Sequence, residues 1–363
     1  MFFGFLQKVT TRLFSARRRA LEWLDAYVRA RPRLAAWVYP AAALSPEGRY
    51  QAFNERYFAN WYEQERMLAD APRMRFYEAA IARHIRPGCR VIDLGTGTGI
   101  LAALAARAGA AKVYAIEHSE ILTHAREIAV HNHVSNVEFV SVHSTNFSLD
   151  AKVDVILHEQ MGDGLFDEEM VANVADLRDR LLAPGGRILP DKFDLYCEPM
   201  TLNAVRRVPF LWEMNVLGYD YACMERHRPQ EPAYYQRASS DPGLVDHFLG
   251  VPQPLLSIDL QTLNESDLPL EIAFRRTVVN AGRLDGYVVF FKAHVDDDLS
   301  LSSSPLDPGR APHWGFRLLR TAHDMFEAGD EIEVRLAVGR WPDMDSWYWS
   351  HVKHRRGTPT TAV

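Results

Sequence analysis

Cysteine is scarce. Cys89, Cys197 and Cys223 are the only three in 363 residues, too few and too scattered for a disulfide framework or a CxxC-type zinc site. That usage points to a reducing compartment, a cytoplasmic protein and no structural metal. No apolar run approaches the roughly 20 residues of a spanning helix, so no membrane crossing is expected. The N-terminus, MFFGFLQKVTTRLFSARRR, places its apolar residues ahead of its charges, a poor secretory leader. Excess positive charge is missing as well: 41 basic against 47 acidic residues leave −6, which gives no general reason for direct nucleic-acid binding and mildly favours a basic substrate. His118, His124, His131, His133 and His143 have neither a cysteine cluster nor HExxH spacing beside them, so metal ligation is disfavoured.

The length favours two globular units, and the texture of the chain divides accordingly. Residues 1–48 form a locally basic helical segment, in which Lys8, Arg12, Arg17, Arg18, Arg19, Arg29, Arg31 and Arg33 face only Glu22 and Asp25 over the first 38 positions. Its apolar residues recur at helical spacing, which suits packing on the protein body ahead of contact with a membrane surface or partner. From Arg90, short apolar strands (CRVIDL, AKVYAIE, VEFVSV, VDVILHE) alternate with helical patterns, predicting parallel strands with crossover helices over 49–190. A helix from about Asp167 to Leu182 is expected to stop at APGG before the strand RILP. From 191 to 363 the segments FDLYCEPM, LLSIDLQTL, LEIAFRRTVV, GYVVFFKAHV, HWGFRLLR and EIEVRLAVGR read as antiparallel strands of a barrel or sandwich. A proline-rich, aromatic excursion interrupts them at about 210–252.

Within the α/β part, VIDLGTGTGI sets Asp93 at a strand end and Gly95, Gly97 and Gly99 in the turn that opens a helix. Glycines there admit a ligand close to the backbone. The GxGxG spacing and the preceding acid disfavour a dinucleotide pyrophosphate and suit a ligand with a cationic portion, so S-adenosylmethionine fits better than NAD. Glu117, ending the next strand, is placed to accept hydrogen bonds from ribose hydroxyls.

After the fourth strand comes HEQMGDGLFDEEM, where a turn carrying Gly162 and Gly164 separates Glu159 from Glu168. Two carboxylates brought to one pocket near a methyl donor call for a cation, and a planar guanidinium matches them through bidentate hydrogen bonds. A solvated acidic loop is the plain alternative, since Asp163, Asp167 and Glu169 lie in the same stretch.

At this loop the chain resembles the protein arginine methyltransferase family, whose SExMGxxLxxExM pattern is matched at Glu159, Met161, Gly162, Leu165, Glu168 and Met170. The resemblance runs from about residue 54 through ERMLADAPR, the glycine motif, APGGRILPD, FLWEMNVLGYDY and SSSP to PHWGFRLLR. It implies a Rossmann-like class I methyltransferase domain followed by an antiparallel β-barrel, with the 210–252 excursion as a dimerisation arm and a homodimer as the assembly. By position it makes Arg73 the partner of the cofactor carboxylate, and Met67 and Met170 the methionines lining the donor and acceptor pocket. Gly95, Gly97 and Glu117 become cofactor ligands beside Asp93, and Glu159 and Glu168 the substrate clamp. His313 and Trp314 match the family's HW pair, with His313 approaching Asp70 as an oriented imidazole. YFANW ends in Trp61 where the family has tyrosine, and Gln64, Gln160 and Pro312 depart from its pattern. The residue that meets the adenine amine has no acidic match among Ser144, Thr145 and Asn146, leaving Thr145 as a polar stand-in.

The implied reaction is methyl transfer to an arginine guanidino nitrogen of a protein or peptide, in which orientation carries most of the burden. Glu159 and Glu168 draw positive charge away from the reacting nitrogen, and Glu168 or the His313–Asp70 pair takes the product's proton. The same chemistry on free arginine or another small guanidino or amine metabolite, and a non-catalytic cofactor-binding scaffold, are the competing readings.

Overall fold

The strand run Arg90–Leu94 is buried along most of its length, the mark of a parallel strand covered on both faces. The computed structural model describes residues 57–356, so the basic segment 1–48 and the C-terminal tail lie outside the described residues. The chain divides into two compact units, Met1–Trp61 and Tyr62–Val363, and the second contains both the parallel and the antiparallel sheets.

Two helices precede the parallel sheet, α1 (Trp61–Ala69) and α2 (Ala71–His84). Asp70 separates them as the N-cap of α2: its side chain accepts the Arg73 N–H at 3.0 Å, and Pro72 follows in the first turn, where its missing N–H costs nothing. The sheet alternates β1 (Arg90–Leu94), α3 (Ile100–Arg107), β2 (Lys112–Glu117), α4 (Ile121–His131), β3 (Val137–Ser141), β4 (Val153–His158), α5 (Met170–Leu181) and β5 (Leu182–Leu189). All pairs are parallel, in the order β3-β2-β1-β4-β5. The order reverses between β1 and β4, so ligands are expected in the crevice beyond the carboxyl ends of those two strands. One local expectation changes: APGG is not a gap before the strand but part of β5, absorbed where the register slips between Val153 and Val155 of β4.

The antiparallel part begins with β6 (Lys192–Leu202) and a small ribbon, β7 (Asn215–Val216) and β8 (Tyr219–Asp220). After α6 (Pro232–Tyr235) come β9 (Gln236–Ser239), β10 (Val245–Phe248), β11 (Leu256–Asp259), β12 (Glu271–Thr277), β13 (Gly282–Asp296), β14 (Leu299–Ser302), β15 (Phe316–Phe326), β16 (Glu331–Arg340) and β17 (Asp343–His354). Strand pairing among the described residues resolves the expected barrel into two sheets. One runs β10-β6-β13-β15-β9, with β11 on β6 and β14 on β13, and the other β12-β16-β17. Their inner residues, among them Leu284, Phe291, Phe326, Ile332, Val334 and Trp347, belong to one buried core that is continuous with the parallel half. The Trp349 indole N–H donates to the Arg320 carbonyl at 3.2 Å, tying β17 to β15. Gly286, at φ 147°, lies where β13 bends: a Cβ there would sit 2.8 Å from the Arg320 Cα.

The excursion is shorter than its proline pattern suggests. Gln236–Ser239 pairs with β15 and Val245–Phe248 with β6, so the second half of 210–252 belongs to the main sheet. What stands out from the sheet is the stretch between β6 and β9, carrying exposed Val205, Val208, Leu217 and Tyr219.

Candidate active site

Three backbone features meet at the carboxyl edge of the parallel sheet. The turn after β1 holds Gly95, Gly97 and Gly99 at φ 70°, 53° and 85°, conformations that L side chains rarely adopt. A Cβ on Gly97 would lie 2.9 Å from the Gln64 Oε1, so the end of an α1 side chain rests on this turn. Glu117 closes β2 with both carboxylate oxygens anchored: Oε1 accepts the Ser119 N–H at 2.8 Å and Oε2 the Gly97 N–H at 3.3 Å. Thr145 sits on the neighbouring 3-10 turn Ser144–Asn146, its hydroxyl 2.9 Å from His143 Nδ1, and the His143 ring lies 5.6 Å from that of His118 beside Glu117.

Asp93 gives one carboxylate oxygen to the turn and keeps the other, Oδ1, buried without a partner. Its Oδ2 accepts the Thr96 hydroxyl at 2.5 Å and the Ala102 N–H at 3.0 Å, near the α3 N-terminus, where a carboxylate is stabilised. Burial pushes its carboxyl up to about 6, against those two hydrogen bonds and with Glu117 adding to the rise.

The acidic loop is built around a tight turn in which Gly162 and Leu165 form an isolated antiparallel bridge, with the Leu165 N–H donating to the Gly162 carbonyl at 2.9 Å. A Cβ on Gly162 would approach Asp167 Cβ to 2.5 Å, so the turn closes only with glycine. Two pins then hold the loop against the start of β15. Asp163 Oδ1 accepts the Gly315 N–H at 2.7 Å, and Asp167 pairs with Arg317 at 3.2 Å.

This folding buries Glu159 and Glu168 in one electrostatic neighbourhood with different partners. Glu159 Oε2 lies 3.1 Å from the Arg73 Nη2. Burial raises the Glu159 carboxyl and Arg73 opposes the rise, whereas Glu168 is pushed well above the ordinary carboxylate range by burial and then by Glu159, Asp167 and Asp163. Burial would lower the Arg73 guanidinium, but Glu159, Tyr77 and Asp70 outweigh it and hold the cation. Arg73 Nη1 donates to the Met67 carbonyl at 2.9 Å, and its Nε is buried without a partner. Met67 and Met170 are both buried, Met170 as the first residue of α5.

The sequence reading missed Tyr77. Fully buried, it donates its hydroxyl to the His158 carbonyl at 2.9 Å next to Glu159, with the Arg73 guanidinium 5.7 Å from its ring centroid. Gln160 follows Glu159, its Oε1 buried without a partner.

Two expected roles change. Asp70 and His313 do meet, but through the His313 backbone N–H, which donates to Asp70 Oδ2 at 2.8 Å. The other Asp70 oxygen caps α2, so among the described residues no carboxylate orients the imidazole and the expected dyad with Asp70 does not form. The imidazole is neutral, driven down to about 3 by burial and by Arg73 and Arg66, and its Nδ1 is buried without a partner. Trp314 is buried behind the acidic loop, its indole N–H donating to the Met161 carbonyl, so it supports the loop rather than facing a substrate.

A family model described as "Methyltransferase domain" matches residues 85–230. The chain is 31% identical over 291 residues to protein arginine N-methyltransferase 6 of Danio rerio, covering 78% of this chain and 82% of that protein. It is 28% identical over 333 residues to protein arginine N-methyltransferase PRMT10 of Arabidopsis thaliana, covering 83% of this chain and 86% of that one. Among solved structures, protein arginine methyltransferase 10 of Arabidopsis thaliana superposes with a TM-score of 0.67 at 25% identity over 83% of this chain and 98% of its own. The Trypanosoma brucei PRMT1 enzyme–prozyme heterotetrameric complex with AdoHcy superposes at 0.69 and 24% identity, over 82% and 99%, which speaks for the fold.

Proposed function

The chain belongs to the protein arginine N-methyltransferase family, and from that premise we propose that Glu159 and Glu168 clamp the acceptor guanidinium. The enzyme transfers methyl from S-adenosylmethionine to a guanidino nitrogen of arginine in proteins or peptides. The observation that carries the clamp is that a guanidinium is already there: the pocket engages its own Arg73 through Glu159 at 3.1 Å, with Glu168 beside it short of positive charge.

The residues at the sheet edge fit the cofactor. The glycine turn is covered at Gly97 only by the end of the Gln64 side chain, Glu117 is held at the strand end, and Arg73 offers a buried cation. S-adenosylmethionine supplies an electrophilic sulfonium methyl when bound. In this reading Gly95, Gly97, Glu117 and Thr145 hold its nucleoside end, Arg73 its carboxylate, and Met67 and Met170 line the reacting space. Glu159 and Glu168 fix the guanidinium plane and draw its charge toward the nitrogens they hold. Glu168, whose raised proton affinity suits an acceptor, takes the product's proton, whereas the His313 imidazole, driven down to about 3, is too weak a base for that step.

The assembly we propose is a homodimer. The exposed apolar residues of the excursion and a groove of about 540 Å³ between α3 and α4, walled by Leu104, Ile128 and Phe139, are complementary in character. The Trypanosoma brucei relative is itself described as an oligomeric complex. Cytoplasmic residence is proposed from the three free, scattered cysteines. The test is transfer of labelled methyl to arginine-rich peptides and to free arginine, alongside Glu159→Gln and Glu168→Gln. Guanidino methylation lost in both variants supports the clamp, and transfer indifferent to both refutes it.

A further inference from the structure

On the antiparallel half, where the base of the excursion meets β15 and β17, lies a second pocket of about 300 Å³, separate from the acidic loop. Arg320 is three residues beyond Arg317, about 10 Å along the strand, and an odd step places it on the opposite face. The walls are aromatic: Trp212, Tyr235, Tyr348 and Trp349 line it together with the guanidinium groups of Arg228 and Arg320.

Arg320 is the informative residue. It is buried, with its guanidinium 3.9 Å from the Phe210 ring centroid and one hydrogen bond, from Nη2 to the Val208 carbonyl at 2.9 Å. Among the described residues no carboxylate forms an ion pair with it, and its other nitrogens have no hydrogen-bond partner. Its electrostatic neighbours are mainly further cations: burial lowers its proton affinity, as do Arg237 and Arg207, against Tyr234 and Glu213. Glu213 is already shared by Arg207, His323 and the Phe210 N–H. Arg228 reaches Glu225 through Nη2, lies 5.1 Å over the Trp212 ring, and keeps its Nε buried without a partner. The nitrogens of Arg320 without a protein partner are not sealed from water but belong to a residue on the pocket wall, and the planar fork of a guanidinium fits a carboxylate or phosphate. The indole and phenol side chains among the lining residues favour a flat ring.

The geometry points to a binding site for a small anion carried on an aromatic ring, an aryl carboxylate or aryl phosphate, with Arg320 and Arg228 on the anionic group and the side chains of Tyr348 and Trp349 on the body. The volume admits about one ring with its anionic substituent, at the low end of ligand pockets. Titration of the full chain with benzoate and with phenyl phosphate, followed by calorimetry and by tryptophan fluorescence, tests it. The expected result is saturable binding at one site per chain, weakened about tenfold or more by Arg228→Ala and abolished by Arg320→Gln, with Arg320→Lys keeping part of it. Benzoate and phenyl phosphate together distinguish a carboxylate site from a phosphate site. Arg320 braces the excursion, so near-UV circular dichroism checks its variants, and Arg228→Ala and Tyr348→Ala, at exposed or half-buried positions, carry the test if they fail to fold. Absence of saturation, equal binding of benzylamine, or isotherms unchanged by Arg228→Ala and Tyr348→Ala overturns the inference.

Discussion

Glu159→Gln and Glu168→Gln should both cut methyl transfer by at least about 30-fold while moving stability in opposite directions. Glu159 is the ion-pair partner of Arg73, and the two side chains are 12% and 5% exposed. Removing the carboxylate leaves a buried guanidinium whose Nε already has no partner. Breaking a buried pair from one side costs about 3–5 kcal/mol, which at about 2 °C per kcal/mol for a chain of this size lowers Tm by roughly 6–10 °C. Glu168 has no cationic partner at that distance, and its proton affinity is raised by burial and by Glu159, Asp167 and Asp163. A carboxyl whose folded-state value is raised contributes stability at low pH and loses it as pH rises through that value. Replacing it with glutamine therefore stabilises, and the gain grows with pH. In activity, loss of either half of a charge-assisted clamp removes about 2–5 kcal/mol of acceptor binding in the transition state, about 30-fold to several-thousandfold in kcat/KM. Scanning fluorimetry at pH 6 and 8 with peptide kinetics on the same preparations reads both quantities. A Glu159→Gln protein as stable as the parent, or a Glu168→Gln protein destabilised as much as Glu159→Gln, would refute the reasoning.

Asp93→Asn should gain on the parent between pH 4 and 6 by about 1.4 kcal/mol per pH unit and level off above, because burial holds the parent carboxyl up to about 6; urea titrations across that range check it, and a parallel pH course for both proteins counts against it. Asp70→Ala removes the α2 cap and the His313 backbone anchor together, so a loss of about 1–2 kcal/mol in stability accompanies lower activity, whereas Asp70→Asn, retaining one acceptor, should fall between. If His313 acted as a charged group its variants would alter the pH–rate profile near 6.5, but the imidazole is neutral down to about 3, so His313→Gln should scale the profile without shifting it. Leu217→Asp, on a 95% exposed tip of the excursion, should convert the proposed dimer to monomer in sedimentation velocity without unfolding the sheet.

The parallel strands were legible because each is an apolar run closed by a turn signal, and the site followed because strand ends carry it. Gly95, Gly97, Glu117 and Glu159 are read from local order alone. What escaped was of two kinds. Short strands such as Gln236–Ser239 and Val245–Phe248 lie among prolines and exist because β15 and β6 offer them an edge, which no local pattern encodes. The pins of the acidic loop, Asp163 to Gly315 and Asp167 to Arg317, join residues about 150 positions apart, so the acids read as solvated when they are structural. The Asp70–His313 reading named the right neighbours but the wrong atom, since an aspartate one residue before a helix serves the backbone first. Asp93, in β1, likewise gives one oxygen to a backbone N–H in the first turn of α3.

Two aspartates bound to backbone N–H groups set the surroundings in which the buried acids of the site differ. Asp70 caps α2 and takes the His313 N–H, and Asp93 takes the Ala102 N–H in the first turn of α3. That leaves Arg73, on the first turn of α2, to lean on Glu159 and oppose the rise of its carboxyl, while at Glu168 burial and the acids Glu159, Asp167 and Asp163 outweigh Arg73 and raise the carboxyl further. The two halves of the clamp are thus differently prepared. Glu159 already exchanges hydrogen bonds with a guanidinium, and Glu168 becomes an effective acceptor only when a second cation enters and draws its carboxyl down. Acceptor binding must then release a proton from Glu168, and the number released per arginine bound should fall toward zero in Glu168→Gln. Calorimetry of arginine-rich peptide in two buffers of different ionisation enthalpy measures that number directly. Equal proton release by the parent and Glu168→Gln would show that the clamp is ionised before the acceptor arrives and that the asymmetry has no part in binding.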